Sequence, residues 1–113
     1  MTKITIKKQN GLIYYLELDG HTGYGVEGED IVCAGVSCIA QTAVLGIFNV
    51  AMINAEFKRD EERGFLQLII PFDISESQKD KCNTIMQTAI LGLADLQEGF
   101  SDFITMEVID DVY

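Results

Sequence analysis

The sequence predicts an α+β fold: a mainly antiparallel five-stranded sheet with two helices, in the order ββαββαβ. Several short segments alternate apolar and polar residues, as half-buried strands do, and two longer segments repeat their apolar residues at helical spacing. A two-residue turn between the first two strands favours antiparallel pairing. The 113 residues suit one layered domain with a single core, so residues 1–113 are assigned to one domain.

The first two strands form a predicted hairpin. Residues Thr2–Gln9 alternate isoleucines with lysines and threonines, and residues 12–18 are rich in β-forming side chains. The dipeptide Asn10-Gly11 separates them, and this pair is a strong signal for a tight hairpin turn.

The first helix is predicted over residues 31–48, with Asp30 as its N-cap. It lies in a segment of 25 residues, 31–55, that has no charged side chain. Glycine, glutamine and asparagine interrupt this segment and its flanks are acidic, which argues against a membrane span. A helix that is apolar around most of its circumference needs more cover than one sheet provides, so we expect a homodimer.

The remaining elements follow in order. Residues 51–58 are predicted as the third strand, 59–64 as a charged turn, and 65–70 as the fourth strand, which Pro71 ends. Ser75 and Gln78 match a capping box, so the second helix begins there, and Gly99 is its predicted stop. Residues 103–109 supply the last strand.

Charge and composition exclude several function classes. Eighteen acidic against eight basic residues give a net charge of −10, which argues against direct binding of nucleic acid. The N-terminal segment lacks the apolar stretch of a signal peptide, so we expect a cytoplasmic protein with reduced thiols. Three cysteines and one histidine without ligand spacing make a metal site improbable, and no motif calls for a cofactor.

His21 and Cys33 carry the main chemical signal. His21 is the only histidine, and Cys33 follows it by twelve positions across a loop that contains three glycines. Cys33 is placed in the first turn of the predicted helix, where the helix dipole favours the thiolate. A histidine within reach would supply the acid/base partner of a cysteine nucleophile. The alternatives are a buried structural cysteine and a solvated loop histidine.

The nearby residues have structural and functional interpretations. Asp30 is a helix cap that could also orient a charged His21, and Gly20 permits close backbone approach at the strand end. Ser37 lies one turn after Cys33, where its hydroxyl either bonds the Cys33 carbonyl or lines the site. The other two cysteines, Cys38 and Cys82, are interpreted as packing residues.

The residues around this pair resemble the ribosomal-processing cysteine proteases, the Prp or YsxB-like family. The family hallmark is a Gly-His pair, a short flexible loop, and the block Gly-x-Asp-Ile-Val-Cys-Ala-Gly-x-Ser. Gly20 and His21 match the pair, and residues 28–37, GEDIVCAGVS, match the block without a gap. Length and element order agree as well, so the resemblance covers essentially the whole chain.

The resemblance implies a bacterial, cytoplasmic, homodimeric endopeptidase. Such an enzyme removes a short N-terminal extension from a large-subunit ribosomal protein and cuts after an aromatic residue. By the same resemblance His21 and Cys33 are the catalytic pair, and Gly20, Asp30 and Ser37 support it. The alternative is a non-catalytic ribosome-assembly or protein-binding module in which the Cys-His pair is vestigial.

Overall fold

A computed structural model describes residues 1–20 and 29–111 of the chain. Within them seven elements follow one another in the predicted order, ββαββαβ, and the α+β fold class is confirmed. The bounds of the elements are β1 Thr2–Gln9, β2 Leu12–Asp19, α1 Glu29–Asn49, β3 Glu56–Asp60, β4 Phe65–Ile69, α2 Glu76–Gly99 and β5 Ile104–Asp111.

The five strands form one mixed sheet in the order β3-β4-β2-β1-β5. Three of the four strand pairs are antiparallel, and the pair of β1 with β5 is parallel. The predicted mainly antiparallel sheet is therefore confirmed. Helix α2 is the crossover that brings the chain back to the β1 edge, as a parallel neighbour requires.

The β1–β2 hairpin has the predicted two-residue turn. Gln9 pairs with Leu12, and Asn10 and Gly11 both have positive φ, 53° and 74°. Positive φ at both central positions is the conformation that an Asn-Gly hairpin turn adopts. A bulge between Lys7 and Lys8 then shifts the register of the rest of the hairpin.

Both helices cover one face of the sheet and close a single hydrophobic core. Alternate residues of the three central strands point into this core, and polar pairs such as Tyr15 with Gln67 lie on the opposite face. Residues less than 2% exposed come from the strands and from both helices, and include Ile4, Ile6, Leu16, Leu68, Val36, Ile47, Met86 and Leu93.

Helices α1 and α2 pack against each other through glycines. A Cβ atom on Gly46 would lie 3.2 Å from the Ile85 side chain, and one on Gly92 would lie 3.4 Å from Ile39. Each helix therefore offers a glycine where its partner presents an isoleucine. The helices approach closely, which holds α1, the element that carries Cys33, firmly on the sheet.

The structure corrects three predicted boundaries. Helix α1 begins at Glu29, so Asp30 is its second residue and not its N-cap. Strand β3 begins at Glu56, because the chain leaves α1 through a turn in which Ile53 donates its N–H to the Ile47 carbonyl. Residues 59 and 60 belong to this strand and not to the charged turn.

The uncharged segment Ile31–Asn49 is long and apolar enough to cross a membrane, by length and composition. The core helix of a soluble protein has the same properties. Here the residues of α1 that face the sheet, including Val32, Val36, Ala40 and Ile47, are buried in the core. Packing against the sheet thus explains why the residues on one side of α1 are apolar.

Candidate active site

A pocket of about 280 Å³ lies between the N-terminal part of α1, the end of β2 and the β3–β4 hairpin. Cys33 and Ser37 line it from the helix, and Gly20 lines it from the end of the hairpin. The full lining is Thr2, Leu18, Gly20, Cys33, Ala34, Val36, Ser37, Arg59, Asp60, Glu61, Gly64, Phe65 and Leu66. The pocket therefore gathers three of the predicted site residues.

Cys33 is half-buried in the wall of this pocket. It is the fifth residue of α1, one turn in from the helix start and not in the first turn as predicted. Val32 and Val36 on either side of it are buried, and they fix the helix face on which the thiol lies. The thiol therefore lies close to the N-terminal end of the helix.

Thr2 contacts Cys33, and the sequence did not predict this contact. Its Oγ1 lies 3.4 Å from Cys33 Sγ, and its hydroxyl donates to the Gly20 carbonyl oxygen at 3.1 Å. Thr2 is only 4% exposed. An unshifted hairpin register would have paired Thr2 with Asp19. The extra residue Tyr14 in β2, opposite Lys7 and Lys8, shifts the register by one and moves Thr2 toward Gly20. No feature of the sequence marked that bulge.

Gly20 is required by two features of the backbone. Its φ is +92°, and an added Cβ would lie 2.8 Å from the Met1 carbonyl oxygen. A larger residue would be strained and would push against the backbone of the first residue. The close approach predicted for Gly20 is therefore present, and it aligns the end of β2 with the pocket.

His21 and residues 22–28 lie outside the described residues. The pairing of His21 with Cys33 therefore stays a prediction. The structure describes the backbone of Asp30 but not its side chain, so its orienting role also stays a prediction. Ser37 does line the pocket, and its Oγ accepts a hydrogen bond from Gln41 Nε2 at 3.1 Å.

The opposite wall of the pocket is held in place by a charged contact. Arg63 Nη2 donates to Asp19 Oδ2 at 3.0 Å, which ties the β3–β4 hairpin to the end of β2. The Arg63 guanidinium also lies 4.5 Å from the centre of the Phe65 ring. This surface ion pair adds little stability, but it sets the position of the hairpin beside Gly20.

The two other thiols have different environments. Cys82 is fully buried, as predicted, and burial raises the pKa of its thiol to about 11. At neutral pH it is a protonated, inaccessible thiol and no nucleophile. Cys38 is exposed, so its interpretation as a packing residue is wrong. The apolar neighbours of Cys38 in sequence lie on the core side of α1, while Cys38 itself faces away from the sheet.

Within residues 1–20 and 29–111, no three His, Cys, Asp or Glu side chains converge as metal ligands. The polar side chains that line the described part of the pocket are the Cys33 thiol, the hydroxyls of Thr2 and Ser37, and the charged groups of Arg59, Asp60 and Glu61. Such a set can carry out nucleophilic attack if a base removes the thiol proton.

Comparison with known proteins places the chain among relatives of its own length. A family model described as cysteine protease Prp matches residues 1–105. The ribosomal processing cysteine protease Prp of Bacillus subtilis (strain 168) is 23% identical over 104 residues, which are 90% of this chain and 92% of the relative.

Two solved structures share the fold over nearly the whole chain. A Streptococcus mutans protein has a TM-score of 0.85 at 28% identity, covering 98% of this chain and 96% of its own. The ribosomal processing protease Prp from S. aureus, solved with a substrate peptide, has a TM-score of 0.82 at 22% identity. That match covers 96% of this chain and 99% of the other, and it shows a common fold.

Proposed function

Because the chain belongs to the cysteine protease Prp family, and is thus a cysteine protease, we propose that it processes a ribosomal protein. The proposed reaction removes a short N-terminal extension from a protein of the large subunit by a cut after an aromatic residue. Cys33 is the proposed nucleophile and His21 its acid/base partner. The observation that carries the proposal is the half-buried Cys33 thiol in the wall of a 280 Å³ pocket near a helix start.

The proposed mechanism has two chemical steps. His21 takes the proton of the Cys33 thiol, and the thiolate attacks the scissile carbonyl carbon. His21 then returns the proton to the departing amine, which leaves a thioester on Cys33. Water, deprotonated by His21, attacks the thioester and releases the carboxylate product together with the free thiol. Gly20, Asp30 and Ser37 are the proposed supporting residues.

Stabilisation of the tetrahedral oxyanion is assigned to the start of α1. The first N–H groups of a helix have no partner within it, and among the described residues these are the groups of residues 29–31. They lie in the turn that precedes Cys33 and point out of the N-terminal end of the helix. Such backbone donors are the usual means of stabilising the oxyanion in acyl transfer.

The walls of the pocket support the proposed preference for an aromatic residue. Leu18, Val36, Phe65 and Leu66 all contribute to its lining. Their apolar surface suits a ring that enters beside the thiol. Strand β3, which lines the same pocket, is an edge strand of the sheet. Its free edge can pair with an extended peptide and guide it past Cys33.

The test is cleavage of a peptide whose N-terminal extension ends in an aromatic residue. Cys33→Ser should reduce cleavage at least about a thousandfold, because a hydroxyl is a far weaker nucleophile than a thiolate in this environment. The matched control is Cys38→Ser, the same change at an exposed thiol on the same helix, which should keep most of the activity.

Each outcome of this test has a defined meaning. A Cys33→Ser variant that still cleaves would overturn the assignment of the nucleophile, provided that mass spectrometry locates the cut at the aromatic residue. A wild-type chain that binds the peptide tightly but never cleaves it would favour the alternative, a non-catalytic binding module. Binding is measured by fluorescence anisotropy with the same labelled peptide.

We further propose a homodimer that works in the cytosol, where ribosomes assemble and thiols stay reduced. The support for a dimer is an uncharged, exposed row of residues on α1, which we call the α1 stripe. It recurs every three or four positions and consists of Ile31, Ala34, Cys38, Thr42, Leu45 and Asn49. Ile31 is 78% exposed and Leu45 is 62% exposed, so a second subunit would bury substantial apolar surface there.

A further inference from the structure

We propose that Thr2 is a positioning residue for the Cys33 thiolate. The inference rests on the proposed role of Cys33 as nucleophile. The Thr2 hydroxyl makes two contacts: its Oγ1 lies 3.1 Å from the Gly20 carbonyl oxygen and 3.4 Å from Cys33 Sγ. The hydroxyl thus stands between the sulfur and the residue that directly precedes His21.

A hydroxyl has one hydrogen to donate, so it cannot donate to both neighbours at once. While Cys33 is a thiol, the Thr2 hydroxyl donates to the Gly20 carbonyl and its oxygen accepts the S–H hydrogen. When the thiol loses its proton, the sulfur becomes a charged acceptor with no hydrogen of its own. The Thr2 hydroxyl hydrogen then turns from the Gly20 carbonyl to the sulfur, because hydrogen bonds to charged groups are the stronger ones.

Burial strengthens the hydrogen bond between the Thr2 hydroxyl and the Cys33 sulfur. Thr2 is 4% exposed and Leu18, which lines the same pocket, is also 4% exposed, so little solvent reaches the hydroxyl. A hydrogen bond to a charge is worth more in such surroundings than in water, and water cannot readily take the place of the hydroxyl. The Thr2 hydroxyl therefore favours the thiolate over the thiol.

The position of Thr2 is set by its contacts with neighbouring strands. Thr2 is the first residue of β1, and its N–H donates to the Phe103 carbonyl oxygen at 2.8 Å. It is paired with Ile104 of β5 on one side and its hydroxyl contacts Gly20 on the other. The donor is thus in place before substrate arrives, which is the property that preorganised active-site groups share.

The proposal is tested with a pair of substitutions that separates the hydroxyl from its surroundings. Thr2→Val keeps the branched shape and removes the hydroxyl, while Thr2→Ser keeps the hydroxyl and removes the methyl group. Both are made in the Cys38→Ala background, so that Cys38, which is exposed on the single chain, cannot compete for the reagent, whereas Cys82 is buried. The readout is the rate of alkylation of Cys33 by iodoacetamide as a function of pH, with the modified peptide identified by mass spectrometry.

In Thr2→Val the pH profile of alkylation should move upward by about one pH unit, which makes alkylation about tenfold slower below the midpoint. In Thr2→Ser the profile should stay within about 0.3 pH unit of the parent, since the donor is retained. Peptide cleavage by Thr2→Val should show a lower kcat at nearly unchanged KM. Melting temperatures of both variants should stay close to that of the parent.

Two results would overturn the proposal: a Thr2→Val profile that superimposes on the parent, or a Thr2→Ser profile that shifts as far as that of Thr2→Val. The second would assign the effect to the methyl group. Alkylation needs no peptide, so its pH profile tests the role of Thr2 even if the parent protein does not cleave the peptide. If the parent cleaves the peptide and the Thr2→Val profile does not shift, the proposed protease function is supported and only the role of Thr2 is contradicted.

Discussion

At the scale of single residues, the candidate site depends on backbone geometry as much as on side-chain chemistry. Gly20 tolerates a φ of +92° and leaves room for the Met1 carbonyl, and this close approach brings the end of β2 next to Thr2. Thr2 then reaches Cys33 across the end of the sheet. The Cys33 thiol therefore lies where three elements, β1, β2 and α1, meet.

The buried thiol of Cys82 leads to a prediction about alkaline stability. Burial raises the pKa of Cys82 to about 11, above that of an unfolded cysteine. Below about pH 8 the thiol is protonated in both states and has no effect. Between these pKa values the unfolded chain releases the proton first, so the free energy of unfolding falls as pH rises. Between pH 8 and pH 10 the loss should be about 1 kcal/mol.

Urea denaturation at the two pH values measures this loss. The control is Cys82→Ala, which is less stable at every pH because it leaves a cavity, but lacks this titrating group. The difference between pH 8 and pH 10 should be smaller in the variant. Equal differences in the two proteins would contradict the prediction and assign alkaline destabilisation to other groups.

At the scale of elements, helix α2 clamps the β1–β2 hairpin through one amide side chain. Asn83 Oδ1 accepts from the Ile13 N–H at 3.0 Å, and Asn83 Nδ2 donates to the Gly11 carbonyl oxygen at 2.7 Å. Lys79 Nζ donates to the neighbouring Asn10 carbonyl oxygen at 3.1 Å. The turn end of the hairpin is thus tied to the helix layer, and the other end of the same hairpin carries Thr2 and Gly20.

Substitution Asn83→Ala should lower the free energy of unfolding by about 1–3 kcal/mol. The reason is that Ile13, which is 3% exposed, would keep a buried N–H group without an acceptor. The control is Gln87→Ala on an exposed position of the same helix, which should change stability by less than about 0.5 kcal/mol. Chemical denaturation measures both, and equal midpoints for the two variants would contradict the role given to Asn83.

At the scale of the whole molecule, one side of α1 belongs to the core and the other side has no partner within the chain's described residues. Next to the α1 stripe, a groove of about 510 Å³ runs between α1 and α2 and is lined by small and apolar residues such as Ala43, Gly46 and Ala89. An apolar row beside an apolar groove on one face can pair with the same face of a second copy about a two-fold axis.

Light scattering should therefore find a species of about 25 kDa, twice the chain mass of 12.5 kDa, at micromolar concentration. Leu45→Lys, in the middle of the α1 stripe, should shift the equilibrium to monomer. Thr105→Lys introduces the same charge at an exposed position of β5 and should leave the dimer intact. A wild-type monomer would remove the proposal, and a dimeric Leu45→Lys variant would place the interface on another face.

Much of the fold could be predicted from the sequence, because its signals are local. The Asn-Gly turn, the Ser75–Gln78 capping box and the burial of Cys82 were all confirmed. The errors lie where tertiary packing overrides local preference. Residues 51–55 have the apolar character of a strand, yet Ala51 and Ile53 instead close the core below the end of α1.

The sequence by itself determined the order of the elements, the hairpin turn and the two chemically informative residues, His21 and Cys33, because residue type and spacing carry those signals. Only the tertiary structure decided which side chain meets the Cys33 thiol. The contact with Thr2 spans 31 positions and depends on a bulge that shifts a strand by one residue. Contacts of that kind follow from the register and packing of separate segments, which no local pattern encodes.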